Sequence, residues 1–189
     1  MDATHTYDLL RHLTTPVVAI TCARAGQCNA MISDGAIRAS IVPDVPRLVV
    51  QIHKWHLTHE IVSETGRFAV HLLHEGQTDV VTKLGFASGR ERDKLAEVPN
   101  HPGATGSPIL DDCYAWFDCT VLNRMDAGYC TIFLGQAVDV GRGSGDAVLE
   151  PALLRDTLPP EFRERYLPNL EAAQALARPL AWLFTPAAG

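Results

Sequence analysis

The most constraining feature of this sequence is a long β-hairpin pattern in its second half. Residues 114–122 alternate between two faces, and residues 131–140 form a second extended run after a turn at residues 126–128. The apolar face of the first run carries Ala115, Phe117, Cys119 and Val121. Alternation with a period of two is typical of a half-buried strand, and two such runs joined by a short turn pair antiparallel. The sequence therefore predicts an antiparallel sheet.

The rest of the chain adds strands and short helices in an order that argues against repeated βαβ units. Apolar and β-branched runs predict further strands at residues 17–22, 48–52 and 67–73. Helical spacing predicts short helices at residues 7–13, 58–66 and 77–84, with Thr58 as the N-cap of the second. We therefore expect a mainly β fold with flanking helices.

Two stretches depart from this pattern. Residues 87–112 form a long irregular connection with a helical turn at 93–98, and long connections of this kind are often binding loops or lids. From residue 149 the chain predicts helical pieces separated by Pro159-Pro160, Pro168 and Pro179, the strongest at 170–177. We expect residues 1–148 to form the main domain, and residues 149–189 a helical extension packed on it.

Composition narrows the class of protein. The chain has 189 residues, is 47% hydrophobic and 20% charged, and carries a net charge of -6 without a basic stripe, which argues against a nucleic-acid partner. Five cysteines without C-x-x-C spacing predict free thiols in a reducing compartment. Residues 1–15 lack the apolar core of a secretory signal, and no apolar run reaches the roughly 18 residues of a membrane span. We expect a cytoplasmic protein with no membrane partner.

The residues that carry chemistry cluster between residues 29 and 60. Residues 29–40 are rich in small and hydroxyl side chains, with Ser33 and Ser40 as donors. After the strand at 48–52 come Lys54 and His56, and then the predicted helix start at Thr58. A helix N-terminus presents free N–H groups to an anion, and Lys54 adds a full positive charge. This spacing predicts a phosphate site, although each residue alone also suits a turn, a cap or a solvated surface.

These segments resemble the flavin reductase-like family with the FMN-binding split barrel. The family pattern begins P-V-x-V-x-T, continues N-x-M-T-A-S and a later Ser, and reaches a K/R-x-x-x-T-H-E helix start and G-x-F-x-V-N-x-L. Residues 16–21, 29–33, Ser40, 58–62 and 66–73 match it in order. Residues 86–95, 106–119 and 132–137 resemble its later segments, so the resemblance covers about residues 7–140.

The resemblance implies a six-stranded antiparallel split barrel that binds FMN near a homodimer interface. By carry-over, Asn29, Ala30 and Met31 would line the isoalloxazine ring. Ser33, Asp34 and Ser40 would follow the ring edge and ribityl chain. Lys54, His56 and Thr58, with His59 nearby, would hold the phosphate. The implied function is an oxidoreductase that reduces flavin or a small acceptor with NADH or NADPH.

Departures from the pattern leave alternatives open. Ile32 and Asp34 stand where the family has threonine and serine, and Gly128-Tyr129-Cys130 replaces the G-D-H whose histidine receives the nicotinamide. A non-catalytic or electron-carrier FMN protein, or a split barrel that binds haem, is therefore the alternative. Cys130 is either a reactive thiol or a packing residue, Trp55 and Trp182 are candidates for covering a flat ring, and the C-terminal extension is a candidate cover for the flavin or a neighbouring subunit. The histidines lack the spacing of a metal site, so we expect none.

Overall fold

The computed structural model describes residues 3–181. Its strands are β1 (Val18–Arg24), β2 (Gln27–Ser33), β3 (Ala36–Arg38), β4 (Arg47–His53), β5 (Arg67–Leu72), β6 (Asn100–Pro102), β7 (Pro108–Leu110), β8 (Ala115–Asp126) and β9 (Cys130–Arg142). Its helices are α1 (Ala3–Leu10), α2 (Leu57–Thr65), α3 (Thr78–Gly85), α4 (Pro151–Thr157) and α5 (Pro160–Ala177), followed by a 3₁₀ turn at Arg178–Leu180.

Seven strands form one antiparallel sheet in the order β2-β1-β5-β8-β9-β4-β3, and β6 and β7 form a separate small hairpin. The sheet curls into the half-barrel of a split-barrel fold, flanked by short helices. The predicted fold class is confirmed, with seven strands in the main sheet instead of six. The predicted hairpin is also confirmed, because β8 pairs with β9 along almost its whole length.

The apolar core lies on both faces of β1. Inside the curl, Ile20, Val50, Phe68 and Phe133 pack with Ile61 of α2, so this helix closes one end of the barrel. On the outer face, a second buried cluster joins the sheet to α3, to the irregular connection and to the chain before α4. It includes Val17, Ala19, Ala30, Leu73, Val80, Leu84, Leu95, Val98, Leu110 and Leu149. Burial on both faces explains why residues 17–22 read as a continuous apolar run.

Three local predictions are wrong. Residues 93–98 form bends and turns without a helix, and the connection holds the unpredicted β6–β7 hairpin. Pro168 lies inside α5 and does not interrupt it, because a helix can continue through a proline at the cost of one backbone hydrogen bond. The N-terminal helix, predicted at residues 7–13, spans Ala3–Leu10, and Leu9, Leu10 and Leu13 are exposed.

Candidate functional site

The N-terminus of α2 is the structural centre of the predicted phosphate site. The helix begins at Leu57, with His56 in the N-cap position, and no side chain caps it. Its first-turn N–H groups therefore carry the partial positive charge that attracts an anion. The prediction that Thr58 is the N-cap is wrong. Thr58 is fully buried in the first turn, where its hydroxyl accepts a 2.8 Å hydrogen bond from the Asn29 Nδ2.

Asn29 holds the one buried side-chain polar atom without a hydrogen-bond partner within residues 3–181, its Oδ1. The loop that follows α3 covers this atom, since a Cβ added at Gly89 would lie 2.0 Å from it and 3.2 Å from Leu57 Cδ2. A buried acceptor left unpaired costs about 1–3 kcal/mol, and such atoms are rare in folded proteins. The side-chain carbonyl oxygen of Asn29 can therefore accept a hydrogen bond from a ligand once the loop at Gly89 moves away from it.

Lys54, three residues before the helix start, contacts the β8–β9 turn. Its ammonium lies 2.7 Å from Asp126 Oδ1, and the same carboxylate accepts a 2.9 Å bond from the Gly128 N–H. The hydrogen bond from Lys54 lowers the pKa of Asp126 below its usual range. Lys54 therefore borders the predicted site with part of its charge already compensated.

Arg90 is a second cation at this helix start, and the sequence did not single it out. Its guanidinium donates 3.1 Å to the Trp55 carbonyl and 3.0 Å to Glu60 Oε2. Glu60 also pairs with Arg24 at 2.8 Å, so the two arginines share one carboxylate. The position of residues 86–90 in a long irregular connection was the only available signal, because binding loops are often of that kind.

Three histidines surround the same region as neutral groups. Burial lowers the pKa of His56 to about 4 and also lowers the pKa values of His53 and His59. The His59 Nε2 lies 2.8 Å from Thr131 Oγ1. At neutral pH, His56 and His59 can therefore offer a phosphate hydrogen bonds but no charge.

An aromatic cluster connects the end of β4 to the β8–β9 turn. The His53 ring lies 4.6 Å from Trp55 and 5.5 Å from Tyr129, and Trp55 stacks on Tyr129 at 6.5 Å between centroids. Trp55 is half-buried and lies where a flat ring would need a cover. Trp182, the other tryptophan predicted for this role, lies outside the described residues.

The predicted ring end lies at the end of β2. Ala30 and Met31 are buried with their side chains in the two core clusters, so only their backbone is available to a ligand. Ser33 Oγ accepts a 3.0 Å bond from the Gly35 N–H, as in an ordinary turn. Asp34 is exposed, and its charge opposes the lowering of the pKa of His53. The turn after β2 lies against β4, since the Gln51 N–H donates a 3.1 Å hydrogen bond to the Gly35 carbonyl.

Ser40 lies apart from this group. It borders a different cavity of about 400 Å³, lined by Val18, Val70, Phe117 and apolar residues between Ala36 and Leu48. Its hydroxyl accepts a 3.1 Å bond from the Val42 N–H.

Cys130 is buried at the start of β9, with 2% of its surface exposed. Burial raises the pKa of its thiol, so the thiol stays protonated and weakly reactive at neutral pH. The packing interpretation is therefore the better of the two that the sequence left open.

Across residues 3–181, no group of histidine, cysteine and acidic side chains is arranged to hold a metal ion. The same part of the chain has no helix that is long and apolar enough to cross a membrane.

Comparison with known proteins identifies the family. Residues 10–156 match the flavin reductase like domain. The chain belongs to the flavin reductase-like family. The resemblance predicted from the motifs is thus confirmed, and α5 lies beyond the matched residues.

Relatives of this family member are of several kinds. A high molecular weight rubredoxin of Moorella thermoacetica is 30% identical over 132 residues, which are 69% of this chain and 57% of that protein. A probable flavin reductase of Rhizobium meliloti is 36% identical over 97 residues, or 51% of this chain and 30% of that protein. The chain thus spans from under a third to just over half of these relatives.

A solved structure shares the fold over most of the chain. The FMN-binding protein of Thermus thermophilus superimposes with a TM-score of 0.63 at 29% identity, covering 68% of this chain and 71% of that one.

Proposed function

We propose that this family member is an FMN-binding oxidoreductase that reduces flavin or a small acceptor with NADH or NADPH, and that it works as a homodimer. The observation that carries the proposal is the uncapped N-terminus of α2 between two cations, Lys54 and Arg90, in a chain of the flavin reductase-like family. Family membership supports a flavin, and the FMN-binding relative favours FMN over FAD.

The donors around α2 fit this cofactor. A terminal phosphate would take the first-turn N–H groups of α2, with Lys54, Arg90 and the neutral His56 and His59 around it. The Asn29 Oδ1 needs a donor, and a ribityl hydroxyl is one. Thr58 would act by holding Asn29 in place, since its hydroxyl is already engaged.

The ring would lie toward the ends of β2 and β4. Backbone groups of Ala30 and Met31, with Ser33 and Asp34 at the edge, form one side in this proposal, and Trp55 forms the other. FMN would supply the electron transfer, while these residues would orient the ring and limit its contact with water.

An electron-carrier function is the second candidate, and one observation favours it. Cys130 replaces the histidine that the family pattern places near the nicotinamide, and it is buried with a raised pKa. A protein without a donor at this position would hold FMN and exchange electrons with a protein or a small carrier.

Titration of the purified protein with FMN tests the cofactor. We expect binding with quenched flavin fluorescence. The double variant Lys54→Ala with Thr58→Ala should bind more weakly by at least about 1.5–3 kcal/mol. A charge-assisted hydrogen bond from Lys54 contributes about this much, and Thr58 holds Asn29 in place. Lys83→Ala is the matched control, since Lys83 is a half-buried lysine on α3 that likewise pairs with one aspartate, Asp79.

Two outcomes separate the claims. A wild-type protein that binds no FMN contradicts the proposed function. Unchanged FMN affinity in the double variant would show that the phosphate binds elsewhere than at Lys54 and Thr58. Anaerobic addition of NADH or NADPH should bleach the bound flavin within seconds if the protein is a reductase. FMN that binds but stays oxidised would favour the electron carrier.

A further inference from the structure

The C-terminal helix α5 and the 3₁₀ turn extend beyond the family domain, which ends at residue 156. From Phe162 to Leu180 this segment spans about 27 Å at 1.5 Å per helical residue. Its two ends touch two different loops of the main domain, and both loops border the candidate site.

The first end contacts the loop after α3. The Phe162 ring lies edge-on to Phe86 at 4.9 Å between centroids. Arg165 donates 3.0 Å to the Phe86 carbonyl, and its guanidinium lies 5.5 Å from the Phe86 ring. Phe86 lies between Gly85, which packs against Ile32 of β2, and Gly89, which packs against Asn29. This contact therefore lies at the edge shared by β2 and the start of α2.

The other end contacts the β8–β9 turn. A Cβ added at Gly128 would lie 2.8 Å from the Leu180 carbonyl oxygen, so only glycine permits this approach. Gly128 donates to Asp126, the partner of Lys54, and Lys54 N–H donates to the Tyr129 carbonyl at 3.0 Å. Leu180 thus lies against the segment that replaces the G-D-H of the family.

The aromatic cluster connects these two contact points. Trp55 stacks on Tyr129 beside Gly128, and its carbonyl accepts a hydrogen bond from Arg90 in the loop after Phe86. A segment fixed at Phe86 and at Gly128 therefore spans from the loop after α3 to the β8–β9 turn, the two regions that this cluster connects.

Besides its two end contacts, this segment is joined to the chain before it by Arg163, which donates to the Asp156 and Leu158 carbonyls at 3.2 and 3.0 Å. None of the residues of α5 is buried, and Pro168 removes one backbone hydrogen bond from its middle. An element with few buried apolar contacts opens at low free-energy cost. Its position thus depends on the contacts at its ends.

We propose that α5 and the 3₁₀ turn form a strap across the mouth of the cofactor site, which opens to admit or release ligands and restricts access from the Tyr129 side. This inference rests on the proposed function for the identity of the ligand. The strap covers the side from which a nicotinamide would approach in the family pattern, so strap opening limits the reaction with NADH.

The test removes the contacts between α5 and Phe86 in the whole 189-residue chain. The double variant Phe162→Ala with Arg165→Ala removes the ring contact, the hydrogen bond and the cation–π contact together. Glu164→Ala is the control, because Glu164 is an exposed residue of the same helix. We expect hydroxyl-radical footprinting without FMN to show increased oxidation of Trp55 and Tyr129 in the double variant only. With FMN bound, the double variant should release it about tenfold faster, as loss of such contacts increases the open population.

Footprinting and FMN release distinguish failure of the strap proposal from failure of the proposed FMN-binding function. If the wild-type protein binds no FMN, the proposed function fails, and footprinting of Trp55 and Tyr129 still decides whether the strap exists. Unchanged oxidation of both residues in the double variant overturns the strap. So does an unchanged FMN release rate in a protein that binds FMN.

Discussion

His71 illustrates how a single buried side chain can join separate strands at the residue scale. It is fully buried in β5, and its Nε2 accepts a 3.1 Å hydrogen bond from the Leu110 N–H of β7. The proton is therefore on Nδ1, which lies 3.3 Å from the Ala19 carbonyl of β1. Burial lowers the pKa of His71 to about 4, against the smaller opposing effect of the Ala19 carbonyl. The native state thus requires the neutral ring.

This pKa predicts a loss of stability in mild acid. The ordinary histidine pKa is near 6.5 in the unfolded chain, so between about 6.5 and 4 the unfolded state binds more protons. The contribution of His71 is complete above about pH 6.5 and decreases as the pH falls toward 4, by about 1 kcal/mol per unit. His56 acts in the same direction. Urea unfolding at pH 7 and pH 5 measures the effect.

Two variants test whether His71 causes the loss of stability between pH 7 and pH 5. His71→Gln keeps an acceptor for the Leu110 N–H, and it should be less stable at pH 7 but lose less stability between pH 7 and pH 5. His12→Gln, at an exposed position, should behave like the wild type. An equal pH dependence in all three proteins would show that other groups cause the acid sensitivity.

At the scale of elements, the β8–β9 hairpin departs from simple alternation. Register shifts occur at Asp118/Cys119 and at Val121/Asn123. The first shift leaves Val138 of β9 unpaired and exposed. Asp118 lies on the face opposite to Cys119, and it is equally buried because the β6–β7 hairpin packs over that face. The buried carboxylate accepts hydrogen bonds from the N–H and hydroxyl of Thr105, and so fixes the β6–β7 hairpin to the sheet.

Replacement of Asp118 should therefore loosen this junction. Asp118→Ala leaves the Thr105 N–H without an acceptor and the Thr105 hydroxyl with Ser107 Oγ alone. We expect a loss of about 1–3 kcal/mol in the free energy of unfolding. Asp139, which pairs with Asp118 on β9, is exposed, so Asp139→Ala should change stability by less than about 0.5 kcal/mol. Urea denaturation compares the two. Equal, small losses would mean that Asp118 is dispensable for the junction.

The elements that the sequence predicted well are those with strong local signals. β1, β4, β5 and β9 follow apolar or β-branched runs, and α2 ends at Gly66, whose φ of 66° suits glycine. The missed features depend on contacts distant in sequence. The β6–β7 hairpin is held by Asp118 and His71, and the bulge at Val138 is a tertiary feature with no period in the sequence.

At the scale of the whole molecule, the candidate site also combines features that local sequence predicts with features that distant contacts determine. The helix start near Thr58 follows from local sequence, but the engagement of Lys54 by Asp126 joins residues 72 positions apart. The proximity of Arg90 to Trp55 and the approach of Leu180 to Gly128 are likewise set by the fold. Spacing in the sequence located the site, and tertiary contacts decide which side chains remain available in it.

Exposed apolar side chains lie beside the cavity of about 400 Å³ that Ser40 borders. Ile41 is 86% exposed, and Ile37 and Val42, which line the same cavity, are exposed as well. Further exposed apolar residues on β8 and β9 are Leu122, Met125, Val138 and Val140. Exposed apolar patches mark interaction surfaces, and the proposed homodimer would cover the one around Ile41.

Ile41→Glu tests this proposed interface. In light scattering, the wild type should have twice the 20.6 kDa mass of one chain. The variant should dissociate, because a buried unpaired carboxylate is strongly unfavourable at an apolar contact. Leu13→Glu, also at an exposed apolar residue, should remain dimeric.

The same variant tests whether the cofactor site is completed at the interface. Because Ser40 lines the same cavity as Ile41, Ile41→Glu should then also weaken FMN binding. A wild-type protein that is monomeric at all concentrations would contradict the homodimer, and unchanged FMN affinity in a monomeric variant would separate the site from the interface.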